Sequence, residues 1–182
     1  TVRYTQGQYA DTIVCDENGY GESKELYLGN YTVQQQTAPN YYTTMQEDLN
    51  VEVEKKNGED PELHEIDAEK TKIALSVTDE LNSTGLEGVT FAVSNERTGI
   101  TQTVTTDAAG NVLLTDLDKS TTYHIREQQT LENYRLDNTD YTMTVAADGR
   151  IDGLSTAALS ITNRMLRVSI HAVDMVLRSD TA

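Results

Sequence analysis

An internal repeat constrains the fold of this chain more than any other feature of its sequence. Residues 31–42 read YTVQQQTAPNYY and residues 123–134 read YHIREQQTLENY, twelve residues in each case. Residues 64–79 also align with residues 159–174 without a gap. A repeat of about 95 residues sets the architecture, because each copy must form one similar structural unit. We expect the end of one copy, one whole copy and the beginning of a third.

The repeated segment alternates with period two, which is typical of a β-strand. Tyr123, Ile125 and Glu127 share one face of the predicted strand, and His124 and Arg126 share the other. The apolar face must point into the core, so it carries Glu127 with it. Burying a carboxyl group is costly unless it is neutral or hydrogen-bonded. Glu127 is then either a built-in feature of the core or a sign that the strand is misassigned. If it is built in, we expect burial to keep the carboxyl group neutral, so that it donates a hydrogen bond to the Asn163 side-chain oxygen.

The composition favours β-structure throughout. The chain has ten tyrosines, one phenylalanine and no tryptophan, and residues rich in Thr, Tyr and Val suit pleated, half-exposed strands. No stretch has a convincing helical period, whereas short strands recur at regular spacing. The sequence predicts an all-β fold of tandem Greek-key β-sandwich modules, prealbumin-like or immunoglobulin-like.

The charge excludes several classes of partner. A formal net charge of −16 argues against nucleic acid and against anionic membranes, since both select basic surfaces. The lone Cys15 cannot form an internal disulfide. Because it would share a strand face with Ile13, we expect Cys15 to be a small buried hydrophobe. We interpret the chain as a fragment of a longer extracellular protein.

The repeat divides the chain into three parts. Residues 1–66 are expected to form a unit that lacks its first strand, residues 67–165 a complete unit, and residues 166–182 the first strand of a following unit. The strands expected in the first part include residues 31–35, 50–54 and 63–66. Those expected in the complete unit are residues 73–78, 89–93, 100–106, 112–115, 122–128, 141–145 and 158–163.

Four segments together carry a family resemblance. Residues 84–95 (TGLEGVTFAVSN), residues 105–117 (TTDAAGNVLLTDL), residues 123–134 and the closing Ile161-Thr-Asn163 resemble the Cna B-type, or SpaA-type, prealbumin-like module of Gram-positive surface proteins. The resemblance extends over all 182 residues. It implies a seven-stranded sandwich repeated in the stalks of adhesins and pilins.

The resemblance also implies a cross-linking site. Many members join a Lys of the first strand to an Asn or Asp of the last strand, assisted by a Glu, in an isopeptide bond. Glu127 and Asn163 match the acid and the acceptor, but Val77 stands where the Lys is expected. In the first repeat the acid and acceptor positions hold Gln35 and Ala68. We therefore expect a degenerate site, with a bond only if another Lys supplies the amine.

No metal, cofactor or catalytic site is predicted. Asp16-Glu-Asn18-Gly19 resembles part of a calcium loop but lacks the downstream Glu, so a hairpin turn is the better interpretation. His64, His124 and His171 share no spacing that would suit a metal ion. No Ser, His and Asp set is placed for nucleophilic catalysis. We expect a protein that is not an enzyme.

Two functions stay open. One is a structural stalk or spacer repeat of a cell-wall attached adhesin or pilin, whose partners are neighbouring repeats. The other is an adhesive module whose exposed Tyr41, Tyr42 and Tyr134 bind a glycan or a host protein. The residues Val168-Ser-Ile170 begin a strand that has no unit to complete. We expect them to exchange into another copy of the chain.

Overall fold

The protein has an all-β fold. The computed structural model describes residues 5–55 and 63–168, and within these ranges the chain forms nine strands and no helix. No helix in that part of the chain is long and apolar enough to cross a membrane. The strands are β1 (Gly29–Val33), β2 (Leu49–Val53), β3 (Lys72–Asp79), β4 (Thr90–Asn95), β5 (Thr101–Thr105), β6 (Asn111–Leu114), β7 (Thr121–Gln129), β8 (Asp140–Val145) and β9 (Thr156–Asn163).

The chain divides into two compact units. The first comprises Thr1–Ala38 and Thr44–Glu69, and the second comprises Pro39–Thr43 and Lys70–Ala182. The five residues from Pro39 to Thr43 thus lie in the second unit, although they belong to the first repeat of the sequence. Most of residues 166–182, the expected opening strand of a third unit, fall outside the described residues.

The first unit contains a single strand pair in its described part. Strands β1 and β2 pair antiparallel, with Tyr31 opposite Val51, and a turn closes at Asp16, whose carbonyl oxygen accepts from the Gly19 amide at 3.0 Å. The strand predicted at residues 63–66 does not form. A backbone segment without a neighbouring strand has no ladder of hydrogen bonds to hold it extended, so an alternating sequence alone does not make a strand.

The prediction that Cys15 is buried is wrong. Its side chain is exposed, and residues 12–15 form no strand. The expectation rested on alternation between two faces of a sheet, and there is no sheet at this point to bury one of the faces. Ile13 is exposed for the same reason.

The second unit is a seven-stranded β-sandwich, which confirms the predicted fold class. One sheet has the order β6-β3-β9 and the other the order β5-β4-β7-β8. Strand β3 is central in its sheet, antiparallel to β6 and parallel to β9. The observed strands overlap all seven predicted ones, and their ends differ by at most two residues.

The core of the second unit lies between the two sheets. Strand β3 turns Ile73, Leu75 and Val77 inward, and these side chains are at most 2% exposed. Lys72 lies on the other face and is only half-buried. Burial of this kind stabilises by about 1.5–3 kcal/mol for each large aliphatic side chain. The other buried apolar residues are Leu86, Val89, Phe91, Val93, Leu114, Leu117, Tyr123, Ile125, Val145, Ile151, Ala157 and Ile161.

A tight turn before β6 packs against β3. The Gly110 amide donates to the Asp107 carbonyl oxygen at 2.8 Å, and Gly110 has a φ of +79°. A Cβ atom at Gly110 would lie 2.4 Å from the Val77 carbonyl oxygen. Only glycine satisfies both the left-handed backbone and the close approach. This turn holds the backbone of β3 in place beside Val77.

Candidate functional site

The two sheets of the second unit bring an acid and an amide together in the core. Glu127 comes from β7 in the four-stranded sheet, and Asn163 is the last residue of β9 in the three-stranded sheet. Both face inward by strand alternation. Glu127 is 7% exposed and Asn163 is 1% exposed. The contact therefore spans the interior of the sandwich at one end.

The Asn163 amide donates to the Glu127 carboxyl group. The Asn163 Nδ2 atom lies 3.0 Å from Glu127 Oε1 and 3.1 Å from Oε2, and it also lies 2.9 Å from Thr130 Oγ1. The prediction that Glu127 donates to the Asn163 side-chain oxygen is wrong, because the Nδ2 atom of the amide faces the carboxyl group. Asn163 Oδ1 is buried and has no hydrogen-bond partner among the described residues. A buried carbonyl oxygen in that state costs about 1–3 kcal/mol.

Burial raises the pKa of Glu127. Loss of water around the carboxylate disfavours its charged form, and this is the largest effect. Hydrogen bonds from the Asn163 side chain, the Thr130 side chain and the Asp137 backbone oppose it, yet the pKa stays above its ordinary value. Glu127 is thus a carboxyl group that takes up a proton more readily than one in water.

Val77 occupies the inner face of β3, two residues before the position that pairs with Asn163. The strand register places Val77 opposite Ile161, and Asp79 opposite Asn163. Since residues two apart share a face, the Val77 side chain points into the same interior as Asp79. Val77 is fully buried. Its amide donates to the Gly110 carbonyl oxygen at 2.8 Å, and its own carbonyl oxygen accepts from the Leu86 amide at 2.9 Å.

The lysines of the second unit lie elsewhere. The sequence places only Lys70, Lys72 and Lys119 between residues 70 and 168, and each is half-buried. Lys70 Nζ lies 2.8 Å from Asp116 Oδ1, and Lys72 is on the outer face of β3. The second unit therefore brings an acid and an amide together in its core, and none of these three lysines lies on the inner face of β3.

A further buried carboxylate escaped the sequence analysis. Asp79 is 3% exposed, and its Oδ2 atom accepts from the Tyr134 hydroxyl at 2.5 Å. Its Oδ1 atom accepts from the Leu81 amide at 2.6 Å. The hydroxyl bond is the largest of the effects that lower the pKa of Asp79. The only signal was the tyrosine shared by both repeats, which does not say what its hydroxyl reaches.

Two of the tyrosines considered for sugar stacking are engaged within the second unit. The Tyr134 hydroxyl donates to Asp79, and Lys70 Nζ lies 5.8 Å from the centre of the Tyr42 ring. Tyr41 is 37% exposed. The intramolecular contacts of Tyr134 and Tyr42 give these two side chains a structural role.

The first unit does not reproduce the pair. Gln35 is half-buried, and its Oε1 atom accepts from the Met45 amide at 2.8 Å. Ala68 is exposed and belongs to no strand. The side chains of Gln35 and Ala68 therefore do not form a buried pair like that of Glu127 and Asn163.

Metal binding has no support in the described ranges, residues 5–55 and 63–168. They contain no group of three or more His, Cys, Asp or Glu side chains placed to hold an ion. What the site can do chemically is limited to proton exchange by Glu127 and to acyl transfer from the Asn163 Cγ atom, and the second reaction requires a nucleophile.

Comparison with solved structures finds similar domains in surface proteins. The protein is similar to the Bacillus anthracis TIE protein, at 19% identity, with coverage of 85% of this chain and 28% of that one and a TM-score of 0.46. It is similar to the minor pilin GBS52 of Streptococcus agalactiae, at 16% identity, with 57% and 48% covered and a TM-score of 0.46. It is also similar to a C-terminal fragment of the pilus adhesin SpaC from Lactobacillus rhamnosus GG, at 16% identity, with 82% and 81% covered and a TM-score of 0.49.

The chain spans less than half the length of the first two of these proteins. No curated protein sequence matches it significantly. The family model described as SpaA, prealbumin-like fold domain, matches residues 1–67 and 71–156. That match extends over most of the sequence, includes strands of both units and agrees with the sandwich of the second. The chain therefore belongs to the SpaA family of prealbumin-like fold domains.

Proposed function

We propose that the chain is a non-catalytic structural stalk or spacer repeat of a bacterial cell-surface protein, adhesin-like or pilin-like, whose second unit contains no isopeptide bond. The observation that carries the proposal is the site itself. Glu127 and Asn163 are buried and hydrogen-bonded to each other. Val77 is at the position where the resemblance to the family implies a lysine. In this arrangement a buried apolar side chain takes the place of a covalent cross-link. Such a core suits a spacer, because the sandwich folds without any chemical reaction.

Lysine placement supports the absence of the bond. Amide formation needs an uncharged amine in contact with the Asn163 Cγ atom. Lys70 is held by Asp116, which raises the pKa of the lysine and keeps it charged. Lys72 points away from the core. Burial lowers the pKa of Lys119, but Lys119 lies just before the Thr121 end of β7, and Glu127 lies six residues further along that strand. None of the three lysines therefore meets the requirement for a buried, neutral nucleophile beside Asn163.

Intact-protein mass spectrometry under denaturing conditions tests the proposal. The measured mass should equal the mass calculated from the sequence. An isopeptide bond to Asn163 releases ammonia, so a deficit of about 17 Da would contradict the proposal. Peptide mapping would then identify the lysine, because its tryptic peptide would be joined to the peptide that contains Asn163.

We infer that the protein of which this repeat is a part is extracellular and attached to the cell wall. The net charge of −16 and the membership of the SpaA family both suit a surface location. An antibody against the second unit should label intact cells of the source organism. Labelling that requires permeabilised cells would contradict an extracellular site.

We also infer that the repeats are partners of one another, and that Val168-Ser-Ile170 can pair with another copy of the chain. Val168 is 88% exposed, while Ser169 and Ile170 lie outside the described residues. In the aligned repeat, the matching positions 73–75 lie in β3, the central strand of its sheet. An apolar strand of this pattern would add to an open sheet of the first unit.

Light scattering over a range of concentrations tests the exchange. The full chain should form dimers or larger species, and a chain that ends at residue 165 should remain monomeric. A full chain that stays strictly monomeric would overturn the proposal. Ser169→Pro serves as a matched control, since proline cannot donate a ladder hydrogen bond and should reduce association.

A further inference from the structure

Each repeat forms the same tight corner. In the first corner, residues 39–42, the Tyr42 amide donates to the Pro39 carbonyl oxygen at 3.3 Å. In the second corner, residues 131–134, the Tyr134 amide donates to the Leu131 carbonyl oxygen at 2.9 Å. These pairs occupy equivalent positions in the aligned repeats. The corner is therefore a property of the repeat.

Each corner also pairs with the segment that follows its repeat in the sequence. Tyr42 forms an antiparallel bridge with Lys70, and Tyr134 forms one with Met165. The hydrogen bonds agree as well. The Thr71 amide donates to the Tyr41 carbonyl oxygen at 2.8 Å, and the Leu166 amide donates to the Asn133 carbonyl oxygen at 2.8 Å.

The first corner is built into the second unit by contacts of its side chains. Asn40 Nδ2 donates to Asp118 Oδ1 at 2.6 Å, and the Lys119 amide donates to Asn40 Oδ1 at 3.3 Å. The loop that makes these contacts, residues 116–120, has two non-glycine residues with positive φ, Asp116 at +56° and Ser120 at +54°. Such strained positions persist only where surrounding contacts over-determine the backbone.

A second loop, residues 146–150, closes over the first corner. Gly149 has a φ of +85°, and a Cβ atom there would lie 2.5 Å from the Tyr42 carbonyl oxygen. The Thr71 hydroxyl donates to the Gly149 carbonyl oxygen at 2.5 Å. Loops 116–120 and 146–150 together form a receptor for an Asn-Tyr corner, and Thr43 is buried beside it.

We propose that the second corner, together with Met165 and Leu166, docks into the receptor loops of a following repeat of the same fold. The proposal rests on the stalk function given above and adds the joint by which successive repeats connect. The second corner makes the same internal bonds as the first. Its contact surface is open, since Glu132 and Asn133 are exposed and Leu166 is 65% exposed.

Charge selects the partner. In the aligned repeats Glu132 is equivalent to Asn40. Asn40 is the residue of the first corner that donates to Asp118. A carboxylate in place of the Asn40 amide would face the carboxylate of Asp118 and repel it. A repeat that accepts the second corner would therefore need a lysine, an arginine or another donor where the second unit has Asp118. The corner residue would then determine which repeat can follow which.

The proposal can be tested with an extended chain. This chain consists of residues 1–165 followed directly by a second copy of residues 71–182. Thr71 then follows Met165, and the receptor loops of the added copy reach the second corner. With Asp118→Lys in the added copy, amide hydrogen exchange at residues 131–134 should slow by about tenfold relative to the 182-residue chain, the effect of one or two gained hydrogen bonds. With Asp118 retained, protection should be smaller. Equal exchange in all three proteins would overturn the proposal.

Two glycines provide a matched control. Gly149 and Gly153 have φ values of +85° and +81°, but no atom lies within 4 Å of a Cβ placed on Gly153. Gly149→Ala in the added copy should abolish the protection, and Gly153→Ala should preserve it. Equal loss in both variants would attribute the effect to backbone strain and overturn the proposal.

The receptor can also be tested in the 182-residue chain, which does not depend on the added copy folding. Gly149→Ala should accelerate exchange of the Thr71 amide, because its acceptor Tyr41 is displaced, whereas Gly153→Ala should not. If the two variants exchange the Thr71 amide at the same rate, the proposed role of loops 116–120 and 146–150 as a receptor is overturned. The mass measurement that tests the stalk proposal is unaffected by either glycine, so the two can fail separately.

Discussion

The two compact units contain copies of one repeat, and they share one hairpin. In the first unit β1 pairs with β2, and in the second β7 pairs with β8. The register is the same, because Tyr31 lies opposite Val51 and the equivalent Tyr123 lies opposite Met143. The local sequence of this segment is therefore sufficient to form the hairpin in both settings.

The units differ in the sheet built on β3. In the second unit, β3 is the partner of both β6 and β9, and its apolar face closes the core. In the described part of the first unit no strand takes the place of β3, and the stretches equivalent to β6 and β9 form no strands. Apolar side chains of the first unit, such as Val14 and Leu28, are 82% and 64% exposed.

In the second unit the three-stranded sheet depends on β3, because β6 and β9 each pair with β3 and not with each other. A flanking strand whose neighbour is missing has neither hydrogen bonds nor a surface to cover. The pair β7 and β8, like the pair β1 and β2, is less demanding, because its two strands pair with each other.

The largest expected effect comes from restoring the amine in the second unit. Val77→Lys should form an amide between the new lysine Nζ and Asn163 Cγ, and the bond between Asn163 Cγ and Nδ2 should break. Glu127 carries the proton to the ammonia that leaves, for a loss of about 17 Da. The bond should raise the free energy of unfolding by about 4 kcal/mol, as for other long-loop cross-links. Intact mass and urea unfolding measure the two effects.

The control is Val77→Lys combined with Glu127→Gln, which removes the proton carrier and should stay at full mass. A folded Val77→Lys protein that stays at full mass would contradict the assigned geometry. Unfolding of the single variant at neutral pH would show that the cost of burying a charged lysine exceeds what the site can offset.

A core truncation at equivalent positions compares the packing of the two units. Ile125→Ala removes a fully buried side chain and should cost the second unit about 2–5 kcal/mol. Val33→Ala, at the equivalent position, removes a half-buried side chain and should cost the first unit less than about 1.5 kcal/mol. NMR-monitored urea unfolding follows the units separately. Equal losses would mean that the first unit has a core comparable to that of the second.

A smaller effect is expected where the first repeat already has an amide. Glu127→Gln mimics Gln35 and should change the free energy of unfolding by less than about 1 kcal/mol at pH 5. In the wild type the folded-state pKa of Glu127 lies above its ordinary value of 4.5. Because the folded state then binds the proton more tightly, stability falls as pH rises through the folded pKa.

The variant should lack that fall, which urea unfolding between pH 4 and pH 8 would detect. A wild-type stability that rises with pH over the same interval, and that Glu127→Gln abolishes, would indicate an ionised Glu127 held by its hydrogen bonds. Asn163→Asp serves as a second probe, because a second carboxyl group beside Glu127 should make the fall steeper.

The smallest effect concerns a cross-strand pair that both hairpins share. Arg126 Nη2 lies 2.6 Å from Asp140 Oδ2, and at the equivalent positions Gln34 Nε2 lies 2.8 Å from Asp48 Oδ2. The bonds from Arg126 and then His124 lower the pKa of Asp140 from 3.8 to about 2. This contribution to stability is present above pH 3.8 and is lost as pH falls toward 2.

Asp140→Asn should therefore destabilise the second unit slightly at pH 6 and not at pH 2, and added salt should reduce the difference because the pair is partly exposed. Asp48→Asn should change the first unit less, since its partner is neutral. Thermal unfolding at the two pH values measures both. An Asp48→Asn effect as large as that of Asp140→Asn would remove the proposed distinction between the hairpins.

Much of the second unit could be predicted from particular residues. Alternation along β3, β7 and β9 places Val77, Glu127 and Asn163 inward, and the structure shows Glu127 and Asn163 in contact. The predicted direction of their hydrogen bond was wrong, since it depends on which atom of the amide faces the acid. The Tyr134 bond to Asp79 was also missed, because 55 residues separate the partners and only the folded corner brings them together.

The sequence by itself determined the strand positions of the second unit, the period of the repeat and the hairpin common to both copies. Those features depend on neighbouring residues, since alternation and turns act over a few positions. Tertiary structure alone decided whether a predicted strand exists. Residues 63–66 have a suitable pattern, yet the described part of the first unit offers no strand to pair with them. A strand is stable only when another strand satisfies its backbone and a second layer covers its apolar face, and neither condition is written in the strand's own residues.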